Sequence, residues 1–166
     1  MKQFLLLLVI GFLSFSSLQA QVAERTRSQG VFVEVLGNGL IYSLNYDTRF
    51  SQGFDGWGGR AGIGYIAIEG VRFTAMPFLV NYLFGKEKHF FEVGVGTTML
   101  IVSDSNGSFS PVGDRNRGTG FTGAMSLGYR LEPTDGGFMF RAGLTPIFSS
   151  DTFWPIYPQV SFGYAF

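Results

Sequence analysis

The last eight residues, QVSFGYAF, alternate strictly: Gln159, Ser161, Gly163 and Ala165 on one parity, Val160, Phe162, Tyr164 and Phe166 on the other. A period of two is the mark of a strand with two unlike faces. The same pattern recurs along the chain. In GFMFRAGLTPIF, Phe138, Phe140, Ala142, Leu144 and Phe148 oppose Met139, Arg141, Gly143 and Thr145. In TGFTGAMSLGYRL, Phe121, Met125, Leu127, Tyr129 and Leu131 oppose Thr122, Ser126, Gly128 and Arg130. HFFEVGVGTTM, IYSLNYDTR and GGRAGIGYIA behave alike. One face is continuously bulky and apolar; the other is Gly, Ser and Thr with an occasional Arg or Glu.

That combination separates two all-β architectures. A sandwich fills its core with bulky residues and turns a polar face to water. Here the polar face is too small and too sparsely charged for a solvated surface, and it fits the crowded lumen of a narrow barrel. The bulky face then meets lipid. Composition agrees, with 24 Gly, 17% aromatic and only 14% charged residues. No stretch after the N-terminus is apolar for the 18 or so residues a spanning helix requires.

The N-terminus, MKQFLLLLVIGFLSFSSLQA, has one early charge at Lys2, an apolar run between positions 4 and 15, and a small-residue exit at Ala20. This is the layout of a cleavable signal peptide. The predicted organisation is therefore residues 1–20 as signal peptide and 21–166 as one domain. Charge is balanced, 12 basic against 12 acidic residues, which offers no basic footprint for nucleic acid. With no cysteine, disulfides, zinc–thiolate sites and lipidated cysteines are ruled out.

Turn signals divide the rest into strands at about 27–37, 40–50, 56–68, 71–85, 88–102, 119–131, 137–148 and 157–166. Gly37–Asn38–Gly39 predicts a tight type I′ hairpin, and Glu69–Gly70 a second turn. Arg72 and Asn81 ask for opposite parities around Pro77, which predicts a β-bulge there. The expectation is an eight-stranded antiparallel up-and-down transmembrane β-barrel in the bacterial outer membrane. Both termini are expected in the periplasm, with short turns at FSQGFD, GKEK and EPTDGG and the long stretch 103–118 outside.

The segments GLIYSLNYDTRF, FLVNYLFGKEKHFFEVGVG, LGYRLEPTDGGFMFRAGLTPIF and VSFGYAF resemble the small outer-membrane β-barrel proteins of Bacteroidota-type Gram-negative bacteria. The resemblance implies a cell-envelope protein among outer-membrane lipids, and it assigns no reaction. The closing strand also resembles the C-terminal assembly signal of such proteins, with Val160, Phe162, Tyr164 and Phe166 at its hydrophobic positions. That likeness implies periplasmic chaperones and the barrel-assembly machinery as partners during biogenesis.

The inward parity places Glu34, Asp47, Arg60, Arg72, Glu92, Arg130 and Arg141 in the lumen. An eight-stranded barrel has room for side chains or one small ligand, and buried charges must pair. The expected lumen is a charge-paired plug, and the expected function a non-enzymatic barrel: structural, surface-interacting, or a subunit of an envelope complex. Two alternatives are a lipid-modifying enzyme of the outer leaflet and a narrow solute channel. The single histidine, His89, lacks the nearby serine a lipid A deacylase-like site needs, and it falls at the periplasmic end. No catalytic, metal or cofactor site is assigned; Asp104 and Asn106 do not complete a calcium loop, and Gly59–Gly64 lies in a strand rather than at a helix start.

Overall fold

A computed structural model describes residues 25–68, 70–104, 117–150 and 152–166. The predicted signal segment 1–20 lies outside the described residues, as do Glu69 and residues 105–116 of the predicted long loop.

The alternating segments form ten strand pieces: β1 (Gln29–Leu36), β2 (Tyr42–Arg49), β3 (Gly56–Ile68), β4 (Val71–Lys86), β5 (His89–Asp104), β6 (Arg117–Leu131), β7 (Gly137–Leu144), β8 (Ile147–Phe148), β9 (Phe153–Trp154) and β10 (Pro158–Ala165). Each pairs antiparallel with its neighbours, and β1 against β10 (Gly30 opposite Ala165, Leu36 opposite Gln159) closes the sheet on itself. β8 continues β7. Both keep one register against β6, interrupted at Thr145 and Pro146: the Thr145 N–H donates to Tyr157 O at 2.6 Å, and the Pro146 carbonyl accepts from Met125 N at 2.9 Å with no N–H to return. β9 leads into β10 through a one-residue offset beside Tyr157. The result is a closed, eight-stranded, antiparallel barrel.

The two ends differ. At the terminal end lie residue 25, the turns at 50–55, 87–88 and 132–136, and Phe166, whose N–H donates to Gln29 O at 3.0 Å. At the loop end lie residues 37–41, Gly70, and Ser149 with its N–H donating to Thr152 O at 2.8 Å. On that end β3 to β6 run on well past the short β1–β2 hairpin.

Two expectations are corrected. Gly37–Asn38–Gly39 is not a type I′ turn. It is one turn of 3₁₀-helix, entered and left through Leu36 and Leu40 with φ of 61° and 67°, and all three of its residues are buried. The turn folds back into the barrel mouth because its backbone finds partners there: Asn38 N donates to Glu34 Oε1 at 3.0 Å, and Asn38 O accepts from Thr98 Oγ1 at 2.7 Å. There is also no bulge at Pro77. β4 keeps one register against β5 from Val71–Asp104 to Lys86–His89.

Arg72 is therefore on the outward parity and exposed, not in the lumen. The reason is its height. Arg72 and Lys86 bracket the outer face of β4, fourteen positions apart. At ~3.3 Å per residue and a tilt of ~40°, they stand ~35 Å apart along the axis, beyond an apolar band of ~25 Å. The rule of polar residues inward holds only across that band.

Between these limits the outer face is apolar: Val33, Leu44, Ile63, Phe78, Val80, Val95 and Phe162 are each 44–56% exposed. Aromatic side chains gather at both rims, with Trp57 packed edge-on to Tyr82 at 5.2 Å on the terminal side and Trp154 against Tyr157 at 6.0 Å on the other. Such girdles suit the two faces of a bilayer.

Candidate functional site: an ion network in the lumen

Seen from inside, the small parity leaves room for a few long side chains. Six of the seven charges read from sequence converge there: Glu34, Asp47, Arg60, Glu92, Arg130 and Arg141, none more than 3% exposed. Asp47 on β2 accepts from Arg49 Nη2 (2.6 Å), Arg130 Nη1 (2.9 Å) and Asn81 Nδ2 (2.7 Å). Glu92 on β5 accepts from both Nε (3.1 Å) and Nη2 of Arg141, and from Asn81 Nδ2 at 3.2 Å. Arg130 lies 3.5 Å from the same carboxylate, so it bridges Glu92 and Asp47.

Toward the loop end, Glu34 accepts from Arg60 Nη1 at 2.9 Å and from the N–H of Asn38. The Arg141 guanidinium, 3.9 Å from Glu34, stacks on Phe32 at 4.4 Å and links this pair to Glu92. Toward the terminal end, Glu132 accepts from Arg130 Nε (2.8 Å) and Arg25 Nη2 (2.9 Å). Arg25 also donates to Pro133 O at 2.6 Å.

Arg49, Glu132, Arg25 and Asn81 complete the network and are absent from the sequence assignment. Arg49 carried a usable signal, the parity of Asp47 two residues before it. Glu132 sits two residues beyond Arg130, inside a stretch that reads as a turn. Arg25 precedes the first strand, and nothing in its neighbourhood alternates.

Among the fully buried members the charges balance, with Arg49, Arg60, Arg130 and Arg141 against Glu34, Asp47, Glu92 and Glu132, and Arg25 adds a fifth guanidinium at the terminal rim. Desolvating each ion costs several kcal/mol, and only paired, hydrogen-bonded geometry offsets that. Two close approaches make room. A Cβ at Gly58 would overlap the Arg49 guanidinium, and one at Gly37 (φ +68°) would stand 2.7 Å from the Glu34 carboxylate. Every carboxylate here is held by a guanidinium, and the cluster crosses the lumen from wall to wall.

The remaining candidates lie outside this network. His89 is at the terminal rim, exposed, its Nδ1 2.6 Å from the Tyr129 hydroxyl. Val160, Phe162, Tyr164 and Phe166 share the outward face of the closing strand, with Phe162 5.5 Å from Phe140. Among the described residues, no group of three or more His, Cys, Asp or Glu is placed to hold a metal.

No family model and no curated protein matches the sequence. Among solved structures, the chain is similar to the crystal structure of the N-terminal β-barrel domain of Pseudomonas aeruginosa OprF: 13% identity, TM-score 0.61, over 86% of this chain and 98% of that one. At that identity the likeness speaks to architecture, and it agrees with the strand pairing: the chain has an eight-stranded, outer-membrane-type β-barrel fold.

Proposed function

We propose that this chain is an integral protein of the bacterial outer membrane, exported through residues 1–20 and seated as a barrel over residues 21–166. Its termini lie in the periplasm and its long loop faces outward. It works as a sealed, non-enzymatic barrel: a structural or surface-interacting element, or a subunit of an envelope complex. Its closing strand engages the assembly machinery and its apolar wall the surrounding lipid, within the small-barrel group of Bacteroidota-type bacteria.

The observation that carries this reading is the pairing of an apolar outer wall with a lumen crossed by interlocked ions. A conduit would need an unpaired lining and a continuous water path; here Asp47, Glu92 and Glu132 are tied to arginines from several strands. Two measurements test it together. The purified barrel should migrate faster on SDS gels before boiling than after, and planar bilayers loaded with it should stay electrically silent. Stable conductance steps would overturn the sealed lumen, and unchanged migration would overturn the membrane barrel.

A further inference from the structure

Above the ion network the inward face changes character. Three inward rows cross β3, β4 and β5 at successive heights: Pro77 with Thr98, then Gly64, Ala75 and Leu100, then Ile66, Phe73 and Val102. The first row meets the 3₁₀ turn through the Thr98 hydroxyl. The upper two carry no charged side chain. They enclose, with Leu40 and Ile41, a cavity of about 290 Å³. Space at this level is left by small residues. Gly64 and Ala75 face it, and across Leu100 stands Gly120, where a Cβ would meet nothing within 4 Å.

The cavity is floored by the 3₁₀ turn, and the barrel wall beside it is lowest between β2 and β3. The β2–β3 ladder stops at Leu44–Ile63, while β3 continues to Ile68. Past that point Gly64 still packs against the Tyr42 carbonyl and the Tyr42 hydroxyl donates to Tyr65 O, and beyond these contacts the edge of β3 faces the Leu40–Tyr42 corner. This gap in the wall is flanked by Ile41, Tyr65 and Ile68, each 49–53% exposed.

We infer that this cavity is a binding site for one alkyl chain of a membrane amphiphile, entering sideways between β2 and β3 at the loop end. An apolar cavity of ~150 Å³ holds a benzene ring, so this one suits a segment of ~10 carbons. The lining selects for hydrocarbon: a charged or strongly polar group would be desolvated against Ile66, Ala75 and Leu100 with nothing to pair it. The lateral opening selects for a chain already in the bilayer over a solute from water. The inference rests on the membrane reading above, and its test separates the two.

The barrel, methyl-labelled, is placed in nanodiscs of ordinary protonated phospholipid, and NOEs from lipid methylenes are recorded. Signals at Val33 and Val95 report the outer wall and hence the membrane reading itself. Signals at Ile66, Ala75 and Leu100, within about twofold of those at Val33, are expected if a chain occupies the cavity. Ala75→Phe, and Leu100→Phe as a second filling variant, should cut the Ile66 signal tenfold or more and leave Val33 unchanged. Lipid NOEs at Val33 with only water NOEs, or none, at Ile66 would overturn the site. So would cavity NOEs that arise only after adding free 1-decanol, since the chain would then come from solution.

Discussion

Asp47→Asn is the substitution with the sharpest consequence. It keeps the shape of the side chain and removes one charge from the centre of the lumen. In the wild-type barrel Asp47 is the carboxylate bonded to Arg49, whereas Arg130 also has Glu92 and Glu132. Losing one partner of a buried pair costs about 3–5 kcal/mol, because the other charge stays desolvated and uncompensated. That is a factor of about 10² to 10³ or more in the unfolding constant, and a large share of a stability of ~5–15 kcal/mol. Arg49 should carry most of the penalty, so Asp47→Asn with Arg49→Met should recover more than half of it. Urea unfolding in lipid vesicles, followed by Trp57 and Trp154 fluorescence and by gel migration, measures all four corners of the cycle. A single-variant loss below about 1 kcal/mol, or a double variant as weak as the sum of the singles, would refute the network as a coupled unit.

Three further outcomes are expected. Gly37→Val should lower stability by about 1–3 kcal/mol in the same assay, since it forces a β-branched residue to φ +68° against Glu34, whereas Gly120→Ala should change it by less than about 0.5 kcal/mol. Removing Phe166 should reduce the fraction of barrel assembled in the outer membrane, read as the heat-modifiable form in cell envelopes; unchanged assembly would remove its role as a signal. Glu92→Ala with Arg141→Ala should admit water and give measurable conductance, while a silent double variant would show that the rest of the plug suffices.

The outer wall was legible because lipid contact imposes alternation on every strand at once, and one misread residue cannot hide it. The closing strand is the clearest case, with both faces of QVSFGYAF standing where its parity places them. The lumen was legible only in its middle. Glu34, Asp47, Arg60, Glu92, Arg130 and Arg141 obey a parity their neighbours establish. Arg72 does not, because it stands past the apolar band, where an outward charge costs little. Glu132 keeps the parity of Arg130 two residues earlier, but it lies beyond its strand, in a stretch that reads as a turn. The apolar cavity escaped notice because Ile66, Phe73, Leu100 and Val102 break the expectation of a polar inner face, and a strand that is apolar on both sides looks only like a blurred alternation.

The 3₁₀ turn allows a last separation of what its sequence and its structure each contribute. Asn-Gly suggested a turn chosen for the asparagine, but here neither Asn38 side-chain amide atom has a protein partner although the residue is 1% exposed. The backbone does the holding, through Glu34 below and Thr98 across the lumen. A buried polar group left unpaired costs about 1–3 kcal/mol, while a neutral hydrogen bond contributes about 0.5–1.5 kcal/mol. Asn38→Ala should therefore leave stability unchanged or raise it, and Thr98→Val should lower it by about 1 kcal/mol. The two variants remove groups that touch the same turn, so opposite signs would isolate the backbone as its anchor. If Asn38→Ala instead costs more than about 1 kcal/mol, the amide is bonded to water held in the lumen, and the mouth of the barrel is wetter than its packing suggests. The alkyl-chain site directly above would then have a hydrated floor, and a chain could reach only as deep as Ala75.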